Sequence, residues 1–512
     1  MKFGIGQPVR RKEDVRFVTG QGHYLDDIQV ESAAYAFFVR SPHAHAIIRD
    51  VDVVAARQAP GVIGVLTAAD LPETGFVPVR GVFKNRDGSA MRAAPKMLLP
   101  ADKARFAGEA VAMVIAETPA LAKDAAELVS VDYEPLGAAG TLDTAPHAPA
   151  VWDHAPGNLV FDWADGDDAA CAAAFAKAAK TVSVELVQNR VAPSPMEPRG
   201  AIGLYDPSTD RYTLYTSTQG SSGIRDKIAS SILKIPPETL RVVTPDVGGG
   251  FGLKTSVAAE QVLVLIAAKA FGRPVKWIGE RMEAFLGDGH GRDVKMKGEL
   301  ALDANAQILA LRLSSRANMG AYMTHVTPHI PTMNLRVMGG VYRVPVVYAQ
   351  VKGYFTNTST ITAYRGAGRP EAIYVTERLM DQAAAAFGID GMEIRRRNLI
   401  RNEELPYRNW KGLTIDSGDF AANLEEAGRR ADWNGFATRR QDAQSRGKCL
   451  GRGISYYFEA SGGPPGTEPA KIHFTDNGAV EVLVATQSNG QGHETTFAQL
   501  VADRLGVPFE SV

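Results

Sequence analysis

Cysteine is scarce in this 512-residue chain, which has two, Cys171 and Cys449, far apart in sequence. So few thiols exclude a disulfide framework and a four-cysteine iron–sulfur cluster, and any redox relay must sit on another subunit. Long apolar runs are also missing. The longest, such as 262–268, fall short of the ~20 residues a membrane span needs, and Lys269 interrupts that one. Charge of one sign is absent as well, since 56 Lys+Arg against 57 Asp+Glu leave a formal charge of -1. That balance argues against nucleic acid as a main partner. The twin arginine Arg10 and Arg11 is followed by Lys12, Glu13 and Asp14 where an export signal needs an apolar stretch. A cytoplasmic protein without a membrane or nucleic-acid partner is expected.

The length predicts about three or four packing units. The first mixes strand-like runs at 35–39, 62–66 and 111–116 with a helical stretch at 119–129, and reads as a compact α+β unit. Between 137 and 158 the composition shifts to Ala, Pro and Gly, the pattern of an exposed linker. Beyond it an apolar strand, a glycine-rich loop and a helix recur four times. RYTLYTSTQGSSG leads into 224–233, RVVTPDVGGGFG into 257–271, ITAYRGAGRPEA into 373–387, and EVLVATQSNGQGHETT into 497–505. Glycine lets backbone approach a ligand closely and adopt positive φ, while the helix start beyond it offers unpaired N–H groups to an anion. Four such loops could converge on one large anionic cofactor. Taken singly, each also fits a tight turn that needs glycine anyway.

GGGFGLKT at 248–255 nearly matches the phosphate-cradling G-x-x-x-x-G-K-[ST] loop, but Leu253 replaces its last glycine. The dinucleotide pattern G-x-G-x-x-G fails too, because Thr255 and Glu371 stand where its third glycine would be. His493 and Glu494 begin a zinc-protease motif that Phe497 leaves without its second histidine. His43 and His45 would share a face of a strand, but no third ligand is near in sequence, so a surface or packing role is favoured over a metal. His290, His325 and His329 are ambiguous. The run Arg395, Arg396 and Arg397 reads as a solvated last turn of a helix, complementing its dipole. No G-x-S-x-G elbow occurs.

VGGGFG, TAYRGAGRPEA and NGQGHETT, in that order, resemble the molybdenum-binding large subunits of the xanthine dehydrogenase, aldehyde oxidase and carbon monoxide dehydrogenase-like family, and the similarity runs the whole length. SPHAHA and VDYEPL look like that family's N-terminal domain. The resemblance implies an α+β or α/β multidomain chain. A hammerhead-like α/β domain would occupy 1–136 and a linker 137–158. A first molybdopterin-binding domain of mixed sheets and helices would span 159–410, and 411–512 would begin a second, incomplete one. It implies a molybdenum–molybdopterin cofactor, in the cytosine dinucleotide form or another, held through the pterin with no direct protein ligand to the metal. Gln219 matches a glutamine whose amide bonds an oxygen ligand of molybdenum, donating a proton without adding charge. Phe251 matches a residue whose N–H meets the cofactor and whose ring walls the substrate pocket, with Gly250 and Gly252 permitting the approach. Arg365 matches a second main-chain contact, and Gln491, between Gly490 and Gly492, a side chain that holds the pterin. The implied reaction oxidises an electron-poor carbon of an aldehyde or aromatic N-heterocycle with oxygen from water. Electrons would leave through a [2Fe-2S] small subunit and an FAD medium subunit, as the cysteine count allows.

Purine-oxidising relatives carry an acidic residue where this chain has Thr255, an arginine where it has Met333 and an aromatic where it has Ala367. Losing those partners should cost several kcal/mol of purine recognition, so an aldehyde is favoured, with an N-heterocycle beside it. Carbon monoxide dehydrogenases hold copper with a cysteine where this chain has Gly366, so no CO oxidation is expected. Family chains continue well past NGQGHETT, and their further portion supplies the general-base glutamate, expected here beyond residue 512 or on a C-terminal companion chain. The competing reading is a non-catalytic chain of the same fold that only docks partner subunits.

Overall fold

The structure, a computed structural model, describes residues 4–79, 83–460 and 468–512. The first three residues of the export-signal reading lie outside the described residues. Seven strands form the larger sheet, in the spatial order Leu240–Val243, Arg211–Thr216, Gly200–Asp206, Val275–Ile278, Ala34–Arg40, Ala110–Ala116 and Val62–Thr67. The last three contain the apolar runs read from the sequence. Ala110–Ala116 is buried at every residue, as a strand covered on both faces must be. Strands from both sides of 137–158 share this sheet, because Ala34 pairs in parallel with Val275. The helix expected at 119–129 forms as Pro119–Ala126, where the Thr118 hydroxyl accepts the Leu121 N–H at 3.2 Å.

The core helix Ala259–Phe271 has no polar stripe, and every residue from Ala259 to Ala268 is buried, Glu260 and Gln261 included. It crosses the strand Gly200–Asp206 so closely that a Cβ on Gly203 would lie 2.4 Å from the Val264 carbonyl oxygen. The second sheet runs Leu159–Gly166, Val346–Phe355, Ile308–Gly320, Val294–Leu302 and Lys180–Gln188. Helix Arg369–Phe387 packs on one face, and a Cβ on Gly298 would strike Val375 Cγ2 at 2.4 Å. Helix Asp168–Lys177 sets Cys171 against Ala301 and Ala310 on the other face, where burial pushes its thiol pKa up. At the C-terminal end, Ala470–Phe474 pairs with Val480–Val484 beside helix His493–Leu505.

Five sequence expectations are corrected. The segment 137–158 is no exposed linker. Ala139, Leu142, Ala145, Val151 and Ala155 join the main core, and the buried Asn158 ties the segment's turns by donating to the Ala145 carbonyl at 2.9 Å and accepting the Val151 N–H at 2.8 Å. Small side chains served packing there, not flexibility. His43 and His45 precede the strand Ala46–Asp52 instead of lying on it. His45 is buried with Nδ1 2.8 Å from the Gly137 carbonyl, and the His43 ring packs tilted against Tyr133 at 5.0 Å between centroids. Arg395 is not solvated but fully buried, paired with Glu377 at 2.9 Å and Asp381 at 3.0 Å on the neighbouring helix. The third glycine loop follows the strand Val346–Phe355, and Ile361 contributes one bridge, to His290. The helix expected at 224–233 starts earlier, as Ser221–Asp226, and continues with wider π-type turns through Lys227–Leu233.

Candidate functional site

The four glycine loops, spread over nearly 300 residues of sequence, meet. The Gly252 N–H donates to Gln219 Oε1 at 2.7 Å, and the Gln219 N–H donates to the Lys254 carbonyl at 3.0 Å. These bonds join the first loop to the second. The Arg365 N–H donates to the Phe251 carbonyl at 2.9 Å and joins the second loop to the third. The fourth abuts the first through the Gln487 amide, which donates to the Thr218 carbonyl. Four loops from distant parts of the chain are thus tied together by hydrogen bonds.

Glycine is required at particular points of this junction. A Cβ on Gly250 would lie 2.5 Å from Gln219 Oε1, and one on Gly252 would lie 2.6 Å from the Ala363 carbonyl at a φ of 98°. Phe251 and Ala367 hold φ values of 51° and 43° without being glycine, and such strain tends to be kept at functional sites. The Phe251 ring is 46% exposed and Met333 is 44% exposed. Asn334, next to Met333 in sequence, donates its amide to the Ala367 carbonyl and so ties the segment 333–337 to the third loop. The Thr255 hydroxyl donates to the Gly252 carbonyl at 2.7 Å, so its proton is already used within its own turn. Gly490 and Gly492 take φ values of 104° and 84°. The Gln491 amide folds back on its own loop, accepting the Asn489 N–H at 2.5 Å and donating to the Gln487 carbonyl at 3.2 Å. Between the second and fourth loops lies a cavity of about 410 Å³, lined by Arg16, Thr244, Asp246, Gln487, Gly490 and Glu494 among others, within the size range of small-ligand sites.

Several supporting residues escaped the sequence reading. Lys254, the apparent phosphate lysine, turns inward. Its fully buried amine pairs with Glu197 at 2.8 Å and donates to Ser217 Oγ at 2.7 Å, and burial pushes its pKa down against the pull of Glu197. Glu197 Oε2 also accepts the Gly248 N–H at 2.9 Å, so this ion pair bolts the first two loops together. A lysine used this way cannot cradle a phosphate, which removes the nucleotide-loop reading on structural grounds. Arg292 braces the third loop by donating to the Tyr364 carbonyl at 2.9 Å and the Arg365 carbonyl at 2.6 Å while pairing with Glu371 at 3.2 Å. Burial pushes the Glu371 carboxyl up, and Arg292 opposes it. His290, whose carbonyl accepts the Thr362 N–H at 2.7 Å, is held neutral, its pKa lowered to about 4 by burial and by Arg190. Among the described residues no group of three or more His, Cys, Asp or Glu side chains could hold a metal ion. No helix there is long and apolar enough to cross a membrane.

Comparison with known proteins gives the class. Molybdopterin cofactor-binding domain families match residues 151–399 and 426–512, and the aldehyde oxidase and xanthine dehydrogenase a/b hammerhead domain matches 19–137. The fold is thus that of a molybdopterin-binding oxidoreductase subunit. The large subunit of nicotine 6-hydroxylase from Paenarthrobacter nicotinovorans is 34% identical over 99% of this chain and 63% of its own length. The carbon monoxide dehydrogenase large chain of Hydrogenophaga pseudoflava is 34% identical over 98% and 65%. The structure of quinoline 2-oxidoreductase from Pseudomonas putida 86 superposes with a TM-score of 0.92 at 35% identity, over 100% of this chain and 66% of that one. This chain belongs to the family of molybdenum-binding large subunits that includes xanthine dehydrogenase, aldehyde oxidase and carbon monoxide dehydrogenase. It spans 63% and 65% of the length of the two curated relatives named above.

Proposed function

We propose that this chain is the molybdenum-cofactor subunit of a hydroxylase acting on an aromatic N-heterocycle, with aldehydes as a second substrate class. The observation that carries this reading is the junction of four glycine-rich loops through the Gln219–Gly252, Arg365–Phe251 and Gln487–Thr218 bonds. The donor set fits a pterin. Backbone amides and neutral side-chain amides line the junction, and the absence of a Cβ at Gly250 and Gly252 lets Gln219 and the Ala363 carbonyl pack directly against the second loop. Gln219, Phe251, Arg365 and Gln491, with Gly250, Gly252, Gly490 and Gly492, would hold the group, in its cytosine dinucleotide form. When bound, the cofactor supplies the Lewis-acid centre and two-electron acceptor that make water a source of oxygen.

The chain's own residues would orient and select. Phe251, Thr255, Met333 and Ala367 form the substrate wall, and with the Thr255 hydroxyl bonded internally that wall offers apolar contact more than hydrogen bonding. The quinoline and nicotine specificities of two relatives favour a flat heteroaromatic ring over the aldehyde preferred from sequence. With Gly366 in place of a cysteine, no copper site and no CO oxidation are proposed. The general-base glutamate would lie in polypeptide equivalent to the relatives' remaining length, supplied after residue 512 or by a companion chain. An iron–sulfur small subunit and an FAD medium subunit would complete a cytoplasmic complex. We place the hammerhead domain at 1–136, the connecting segment at 137–158, and the two cofactor-binding domains at 159–410 and 411–512. Turnover of quinoline by the natively purified complex in ¹⁸O-labelled water tests this reading. Label in the hydroxylated product supports it, while unlabelled product or turnover of aldehydes alone contradicts the heterocycle assignment.

A further inference from the structure

The fourth loop belongs to a C-terminal unit that contacts the rest of the fold sparingly. Its two strands pair with each other, and its helix His493–Leu505 packs on the short turn Phe509–Ser511. What connects this unit to the second loop is a segment from the other end of the chain, residues 11–16. Arg16 donates to both Glu494 oxygens, at 2.8 and 2.7 Å, and to Asp246 Oδ1 at 2.8 Å. Arg11 donates to the Gly490 carbonyl at 3.0 Å. The Lys12 N–H donates to Thr495 Oγ1 at 2.8 Å, and that hydroxyl donates to the buried Glu13 at 2.5 Å.

Electrostatics make one of these residues decisive. Asp246 stands in the second loop and Glu494 in the first turn of the helix after the fourth, and both line the 410 Å³ cavity. One guanidinium nitrogen lies 2.8 Å from Asp246 and 2.7 Å from Glu494. Without that cation Asp246 and Glu494 would face each other across a cleft that Glu13 also lines, and would repel one another. A planar guanidinium suits the task, since it bonds one carboxylate with two nitrogens while reaching a second, which a point-charge ammonium cannot do.

We propose that Arg16 is a positioning residue that docks the fourth glycine loop, which carries Gln491, against the second, and so supports retention of the proposed cofactor. The docking half stands on geometry alone, and the retention half rests on the proposed cofactor function. The test compares the full chain, with its natural partners, as parent, Arg16→Ala and Arg16→Lys. Amide hydrogen exchange over 485–505 and molybdenum per chain are the two readouts. Arg16→Ala should raise exchange in that segment while leaving 259–271 protected, and should lower molybdenum by roughly tenfold to a hundredfold, the range for lost supporting contacts at metal sites. Arg16→Lys should recover part of both losses. In an Asp246→Asn, Glu494→Gln background the Arg16→Ala change should matter less, because the repulsion is gone. Unchanged exchange over 485–505 in Arg16→Ala would overturn the docking role. Increased exchange with full molybdenum would overturn the retention role. A parent that holds no molybdenum fails the function reading, and the exchange measurement still decides the docking.

Discussion

At the scale of single residues, the site depends on what is absent as much as on what is present. Gly250 has no Cβ because Gln219 fills that space, with Oε1 2.5 Å from where the Cβ would be. Gly250→Ala should therefore push the glutamine amide off the Gly252 N–H and lower molybdenum content by about tenfold or more, with only a small change in melting temperature. Elemental analysis beside a thermal melt checks the split. Lys254 makes the opposite case, a charge whose role is structural. Lys254→Met leaves the half-buried Glu197 beside Ser217 and Gly248 without its cation, a loss of up to about 3 kcal/mol, the low end for breaking a fully buried pair. Urea unfolding should record that loss, and Lys254→Met with Glu197→Gln should lose less than Lys254→Met alone. Gln491→Ala separates the cofactor-binding reading from the docking-only one, since molybdenum retention should fall in the first case and stay unchanged in the second.

At the scale of elements, the four glycine loops were legible because an excess of glycine placed between an apolar strand and a helix is a local pattern. Their meeting was only suspected, since contacts such as that of Gln487 with Thr218 bridge residues far apart in sequence. The bracing side chains were not legible at all. Lys254 reads like a phosphate lysine until Glu197 is found on its inner side, and Arg395 reads as solvated until its partners appear on another helix. The segment 137–158 misled for a related reason. Alanine and proline pack as readily as they bend, and burial is a tertiary property. A buried acid at the foot of the strand Ala110–Ala116 supplies a pH signature. Burial pushes the Glu109 carboxyl up to about 7 from its ordinary 4.5, so the folded chain binds a proton that the unfolded chain has released between those values. Its contribution to stability is therefore fullest below pH 4.5 and is lost as pH rises through about 7. Glu109→Gln should remove that decline. Both hydrogen bonds of the carboxyl can survive the change, because the amide oxygen can accept the Arg105 N–H, which donates to Glu109 Oε2 at 2.6 Å, while the amide N–H donates to the Tyr322 hydroxyl. Urea unfolding of parent and variant at about pH 5 and about pH 8 isolates the slope.

At the scale of the whole molecule, the fold class was readable from ordered motifs, and the sharing of one sheet between the two ends of segment 137–158 was not. The pairing of Ala34 with Val275 leaves no trace in either strand's own sequence. The C-terminal unit keeps Ile472, Phe474, Leu483 and Leu500 exposed, apolar surface of a kind that marks an interaction site when contiguous. The account's central claim is that the four loops hold a molybdenum–pterin cofactor, and molybdenum content measures it most directly. The protein should be purified natively with every co-purifying chain and assayed by elemental mass spectrometry, parent beside Gly250→Ala. Near one molybdenum per chain in the parent, with iron on a partner and a sharp fall in the variant, is the predicted result. A parent without molybdenum, or a variant that retains all of it, would contradict the claim that this junction is the cofactor site.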